Sequence, residues 1–337
     1  MTVNRNINFF VCLLFILPAL FGLNLLTGSV RIPLAEIWCI LTGGQASRET
    51  WHFIVMESRL PTALTSVLCG SALAVCGLLL QTLFRNPLAG PSIFGITNGA
   101  GLGVAIVMLF MGGSISAGLL HLSGFIAIML GAFTGAMAVT AVIFLFSTFV
   151  RNGVILLIVG IMVGYLSSSV VVLLNYFATE EGVRSYMLWG MGNFSGVSMA
   201  HMPFFASVIL TGLLATLLLV KPLNALLLGE LYAESLGIDT RRLRNLLLLA
   251  TGLLCAVTTA FCGPVSFIGL AVPHMARLLL RSENQRRLLP ATMLMGGAVA
   301  LLCNLICHLP FNGSLIPLNA VTPLVGAPII IYVIIRK

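Results

Sequence analysis

The sequence predicts an all-α integral membrane protein of about ten transmembrane helices, and three observations carry that prediction. Hydrophobic residues make up 59% of the 337 and charged residues only 8%, with a mean hydropathy of +1.11. A water-soluble domain of that composition would expose large apolar patches. Apolar runs long enough for a bilayer core of ~30 Å recur along the chain, separated by short Gly, Pro or Arg punctuation. Lys and Arg fall mostly between alternate runs, the pattern left by retention of basic residues on the cytoplasmic side.

In chain order the runs occupy 7–27, 61–83, 93–111, 121–147, 152–176, 201–220, 245–262, 264–280, 288–309 and 317–335. The first follows Arg5, is long for a signal-peptide core and has no Ala-x-Ala site behind it, so it is expected to stay as a span. The second ends at Arg85, where Asn86-Pro87-Leu88-Ala89-Gly90-Pro91 denies the helix its amide donors and predicts a bend or a short re-entrant stretch. Gly263-Pro264 does the same between the seventh and eighth runs. Gly90-Pro91-Ser92-Ile93-Phe94-Gly95 and Gly263-Pro264-Val265-Ser266-Phe267-Ile268-Gly269 look alike, in opposite expected orientations, which hints at an inverted repeat. Gly95, Gly99 and Gly103, and again Gly131 and Gly135, sit at the small-xxx-small spacing that lets helix backbones approach closely in lipid.

With the N-terminus inside, only Arg31, Arg48, Arg59 and Arg184 of the 17 Lys and Arg lie outside, beside Glu36, Glu49, Glu57, Glu180 and Glu181. The net charge of +8 therefore follows from membrane topology, and a nucleic-acid partner is an unnecessary explanation. Seven of the eight cysteines, all but Cys39, lie in expected spans, where they act as small apolar residues and imply no disulfide framework. Cys303, Cys307 and His308 have helical spacing, but a packed helix face is the favoured reading over a metal site.

The spans contain no Asp, Glu or Lys, so the carboxylate that normally couples transport to an ion gradient is missing. No Gly-x-x-x-x-Gly-Lys-Ser/Thr loop exists either, and no Ser-His-Asp set or membrane carboxylate pair supports a hydrolase. The chain is expected to have no catalytic residues, no metal and no cofactor, with energy supplied from outside the membrane. Between Lys221 and Arg244 it gathers seven charges: Lys221, Glu230, Glu234, Asp239, Arg241, Arg242 and Arg244. Within this loop Glu230 to Leu236 reads as a short amphipathic helix, with Leu231 and Ser235 one turn apart, Glu230 and Glu234 on one face, and Gly237 placed to stop it. Such a surface helix fits a groove on a soluble partner and passes rigid-body motion to the attached spans.

Several segments are recognisable together. Arg59-Leu60-Pro61, Gln81, Arg85-Asn86-Pro87-Leu88-Ala89, Pro91, Gly95 and Asn98-Gly99-Ala100-Gly101 resemble the first signature of the permease subunits of iron-chelate and cobalamin ABC importers. Ala233-Glu234-Ser235-Leu236-Gly237 resembles that family's ATPase-coupling loop. The segment from Gly263 through Gly269, Pro273 and His274 to Arg277 resembles its second signature, and Gly326-Ala327-Pro328 its closing span. The resemblance implies a single transmembrane permease domain over 1–337, with the coupling loop at about 221–244. It implies a second permease subunit, expected to be an identical copy, two cytoplasmic ATPase subunits, and an extracytoplasmic binding protein that delivers a ferric siderophore, haem or cobalamin. The place is the bacterial inner membrane, with both termini cytoplasmic. Glu230, Leu231, Ala233, Glu234, Leu236 and Gly237 are the expected coupling residues. Arg59 and Arg184 are the expected docking charges, and Ser167, Ser168, Ser169, Asn175 and Asn319 the polar lining of the path.

This chain also departs from the family pattern. Thr62 stands where a second arginine is common, Asn304 and His308 where Asp and Arg are, and Leu315 where a Glu usually precedes the last span. With a nearly neutral outer face, steering of an acidic partner is expected to be weaker than the pattern suggests. The alternative reading from another class is an ion-coupled secondary transporter of a small molecule.

Overall fold

The computed structural model describes residues 2–117, 120–150, 153–309 and 316–335. Arg151, Asn152, Leu315, Arg336 and Lys337 lie outside the described residues. Among the described residues fifteen α-helices follow one another: α1 (Thr2–Leu26), α2 (Leu34–Leu41), α3 (Glu49–Phe53), α4 (Leu60–Leu83), α5 (Ile96–Ala105), α6 (Phe125–Phe149), α7 (Gly153–Phe177), α8 (Glu180–Gly190), α9 (Met202–Leu218), α10 (Val220–Leu227), α11 (Glu230–Ser235), α12 (Thr240–Cys262), α13 (Ile268–Leu280), α14 (Gln285–Cys307) and α15 (Leu318–Ile335). A small antiparallel hairpin, β1 (Ser114–Ala117) with β2 (Leu120–Ser123), joins the π-helical end of α5 to α6.

Each of the ten apolar runs contains a helix, although the fourth, expected from residue 121, opens on β2 and turns helical only at Phe125. By length and composition six helical segments are able to cross a membrane, and α9 with α10, bent by 55°, makes a seventh. The remaining three, α5 with its π turn, α13 and α15, are shorter apolar helices. The region before the second span differs from expectation. The sequence places an outer loop up to residue 60, whereas α3, a π turn over Ile54–Arg59 and α4 run on as one helix of 35 residues. Pro61 has no amide proton to give the turn before it, and the wider π turn absorbs that missing donor.

Helix α4 is the axis of the bundle. In its most apolar window 83% of residues are buried, against 17% in α1 and 28% in α7. Helices α12, α13 and α14 pack around it, and close passage is possible because the crossings are glycine on glycine. A β-carbon on Gly77 would lie 1.6 Å from the carbonyl oxygen of Gly269 on α13, and one on Gly70 would lie 2.3 Å from that of Gly296 on α14. The two glycine stripes read from the sequence pack on each other. A β-carbon on Gly103 would meet the Gly131 oxygen at 1.9 Å, and one on Gly135 the Gly99 oxygen at 2.1 Å. With backbones this close, dispersion and weak Cα–H···O contacts hold α5 to α6 where lipid supplies no hydrophobic drive.

Candidate functional site

The two family-like signatures meet at one end of α4 and α13. His274 donates from Nε2 to the carbonyl oxygen of Pro87 (2.7 Å), which pins the Asn86-Pro87 turn against α13. Arg277 donates to Gln81 on α4 and to Glu283 (3.2 Å), and Gln81 returns a bond to the Leu270 carbonyl (3.3 Å). Gln285 and Asn284, at the start of α14, are held to Thr82 and to Asn224 of α10. Sequence reasoning singled out His274 and Arg277 but missed the Asn224–Gln285–Thr82 chain, whose members are ordinary polar residues with no spacing to mark them.

The look-alike segments face one another across a cavity of about 210 Å³, lined by Pro91, Ser92 and Thr97 on one side and Ser266, Phe267 and Gly269 on the other. Each enters its helix through one residue of positive φ, Gly95 at 77° before α5 and Phe267 at 66° before α13. Glycine adopts that conformation freely; phenylalanine does not. Phe267 is held there by its neighbours, for the β-carbon of its side chain is 3.2 Å from where one on Gly326 of α15 would lie.

The loop between α9 and α12 places α11 at the surface. Gly237, with φ of +82°, closes the helix as expected: its amide donates to the Glu234 carbonyl (2.9 Å), and that of Ile238 to Ala233 (3.1 Å). Ala233 is fully buried, whereas Leu231 is 85% exposed and Tyr232 and Leu236 are exposed beside it. Glu234 accepts from Thr240 (2.7 Å), and Asp239 caps α12 through the Arg242 amide (2.9 Å). The short helix is thus anchored through Ala233 and Glu234 and offers an apolar ridge outward.

At the opposite end Arg59 is 7% exposed. Its guanidinium donates to the carbonyls of Leu25 (2.7 Å), Leu26 (3.2 Å) and Val30, binding the end of α1 to the head of α4. The donors expected to face a partner are spent on the protein's own backbone. Arg59→Met should therefore lower the thermal midpoint clearly, by a stability loss of about 2 kcal/mol for buried carbonyls left unpaired. A scan of the purified variant in detergent checks this, and an unchanged midpoint would restore the surface role. Arg184 on α8 is exposed and shares a cavity of about 510 Å³ with Asn175 and Glu180.

The expected path residues divide. Ser167 is buried and bonds its own helix at Val163 (2.9 Å); Ser168 and Ser169 are exposed, with Ser168 accepting from Asn98 (3.3 Å). Asn319 is a latch: it donates to the carbonyls of Gly190 (2.9 Å) and Pro264 and accepts from the Ser266 amide (3.0 Å), tying α15 to the broken entry of α13. Asn304 donates to Asn24 (2.8 Å), a buried amide pair joining α14 to α1, and His308 bonds the Asn304 carbonyl (2.8 Å). Cys303 and Cys307 are buried in the same helix packing.

Comparison with known proteins agrees with this architecture. The model of the FecCD transport family matches residues 14–336. The vitamin B12 import system permease protein BtuC of Photorhabdus laumondii is 37% identical over 290 residues, covering 86% of this chain and 83% of the relative. The protein of that name from Klebsiella pneumoniae is 34% identical over 321 residues, covering 94% and 93%. A solved metal-chelate type ABC transporter in an inward-facing conformation superposes with a TM-score of 0.84 at 28% identity, covering 97% of this chain and 98% of that one.

Proposed function

The chain belongs to the FecCD transport family, and from that premise we propose that it forms the membrane path for a large metal chelate, cobalamin before a ferric siderophore or haem. It is a multi-pass membrane permease of an ABC importer, and ATP hydrolysis lies in a separate subunit. The choice of cobalamin rests on relatives named for vitamin B12 import, at 37% and 34% identity over most of the chain.

In this reading residues 1–337 are one permease domain with both termini in the cytoplasm, the basic loop ends lying on that side. Two ATPase subunits grip α11 of each of two identical permease copies. Closing of the ATPase pair moves α11, and α10 and α12 carry that motion into the bundle. The path runs beside α7, whose poorly buried face carries Ser168, Ser169 and Tyr165, and beside α15. A binding protein docks at the other end, near the exposed Arg184. The observation that carries the mechanism is the apolar ridge of α11, where Leu231 is left almost wholly uncovered among the described residues.

Vesicles test the reading. With the ATPase and a cobalamin-loaded binding protein, the reconstituted chain should accumulate cobalamin on ATP, undisturbed by a proton ionophore. Accumulation by the chain alone on a proton gradient would overturn it.

A further inference from the structure

Three arginines converge on a cavity of about 400 Å³ where α4 and α13 end, walled also by Leu227 of α10 and Leu278 of α13. Arg277 is paired there with Glu283. Arg85 and Arg281 have no side-chain hydrogen bond or ion pair among the described residues. With Glu283 as its one carboxylate, the cavity keeps a surplus of two positive charges.

A second observation marks the same two residues. Arg85 and Arg281 have φ of 47° and 48°, and with Phe267 they are the non-glycine residues of positive φ among those described. Side chains held in such backbone cluster at ligand clamps, where the surroundings dictate a conformation the residue itself disfavours. Arg85 stands two residues past α4 and Arg281 one residue past α13, where apolar helix gives way to polar chain.

We propose that this cavity binds the phosphate headgroup of an anionic phospholipid. The guanidiniums of Arg85 and Arg281 supply charge-assisted donors to the phosphate oxygens, and Arg277 closes the third side. The acyl chains descend along the exposed Leu278 and Leu279 on α13. That apolar approach favours a lipid over an acidic side chain of a protein partner, which needs none. Basic pockets between membrane helices are built for this chemistry. The proposal depends on neither the ATPase nor the transported chelate.

Native mass spectrometry of the full chain, purified with phosphatidylglycerol or with phosphatidylcholine, is the test. The wild type should retain phosphatidylglycerol selectively, and the double variant Arg85→Gln, Arg281→Gln should bind it about thirty-fold more weakly. Arg286→Gln with Arg287→Gln, exposed cations outside the cavity, should change nothing. Arg281→Gly, which removes a charge while easing the backbone, separates lost binding from lost folding. Equal retention of both lipids, or an unaffected double variant, would overturn the proposal. So would arginine-dependent binding of inorganic phosphate without lipid preference, or release of the ATPase from the double variant while lipid retention stays intact.

Discussion

Gly77→Leu should leave no monodisperse protein after extraction, and Gly77→Ala should fold with a markedly lower thermal midpoint. The first β-carbon at this position falls 1.6 Å from the carbonyl oxygen of Gly269, and the obstacle is backbone rather than a side chain that could swing aside. Overpacking of a core typically costs about 1–3 kcal/mol when neighbours adjust. Here α4 and α13 must separate, and α4 is the helix on which α12, α13 and α14 all rest. Separation would also pull Gln81 from Arg277 and Pro87 from His274, so surviving Gly77→Ala protein should lose transport beyond its loss of stability. Gly22→Ala is the control, because a β-carbon there meets nothing within 4 Å. Fluorescence-detected gel filtration and a thermal scan read both outcomes; wild-type behaviour of Gly77→Leu would refute the crossing.

Leu231→Glu should release the ATPase subunit while leaving the permease as stable as the wild type. At 85% exposure the side chain contributes little to the fold, so its removal has no internal cost. A buried apolar anchor at an interface is worth about 2 kcal/mol or more on truncation, roughly thirty-fold in affinity, and a buried unpaired carboxylate costs further. Leu236→Glu should behave alike, and Leu231→Ala should fall between. The measurement is the amount of ATPase retained on affinity-captured permease across a salt series. Full retention by both charged variants would remove α11 from its coupling role. Ala233→Glu would be uninformative, since Ala233 is buried and the substitution would unfold the loop.

Much of this was legible in the residues themselves. Ten apolar runs became ten apolar helices because a lipid solvent forces each backbone polar group to be satisfied within its own segment, which makes length and hydropathy nearly sufficient. The glycine stripes at Gly99 and Gly103 and at Gly131 and Gly135 announced a close crossing, although not that they cross each other. A third stripe, Gly160 and Gly164 on α7, receives Gly95 and was there to be read by the same spacing. Of the candidate site, α11 and its glycine stop were visible as a periodic polar segment. Arg59 and Asn319 were visible as polar residues, and their roles were not: each forms backbone bonds to residues 29 or more positions away.

What the sequence determined alone was therefore the solvent, the number of apolar helices and the place of the short helix α11 between α10 and α12. Tertiary structure decided which helix is central. Hydropathy reads 2.1 for the helix containing α4 and 2.5 for α1, yet the first is enclosed by the rest of the chain and the second is mostly left uncovered by it. Lipid and protein interior are equally apolar, so the hydrophobic pattern that separates inside from outside in water carries no such information here. The distinction lies instead in fit, in where one backbone comes within touching distance of another, and that is a property of pairs of helices rather than of any one of them.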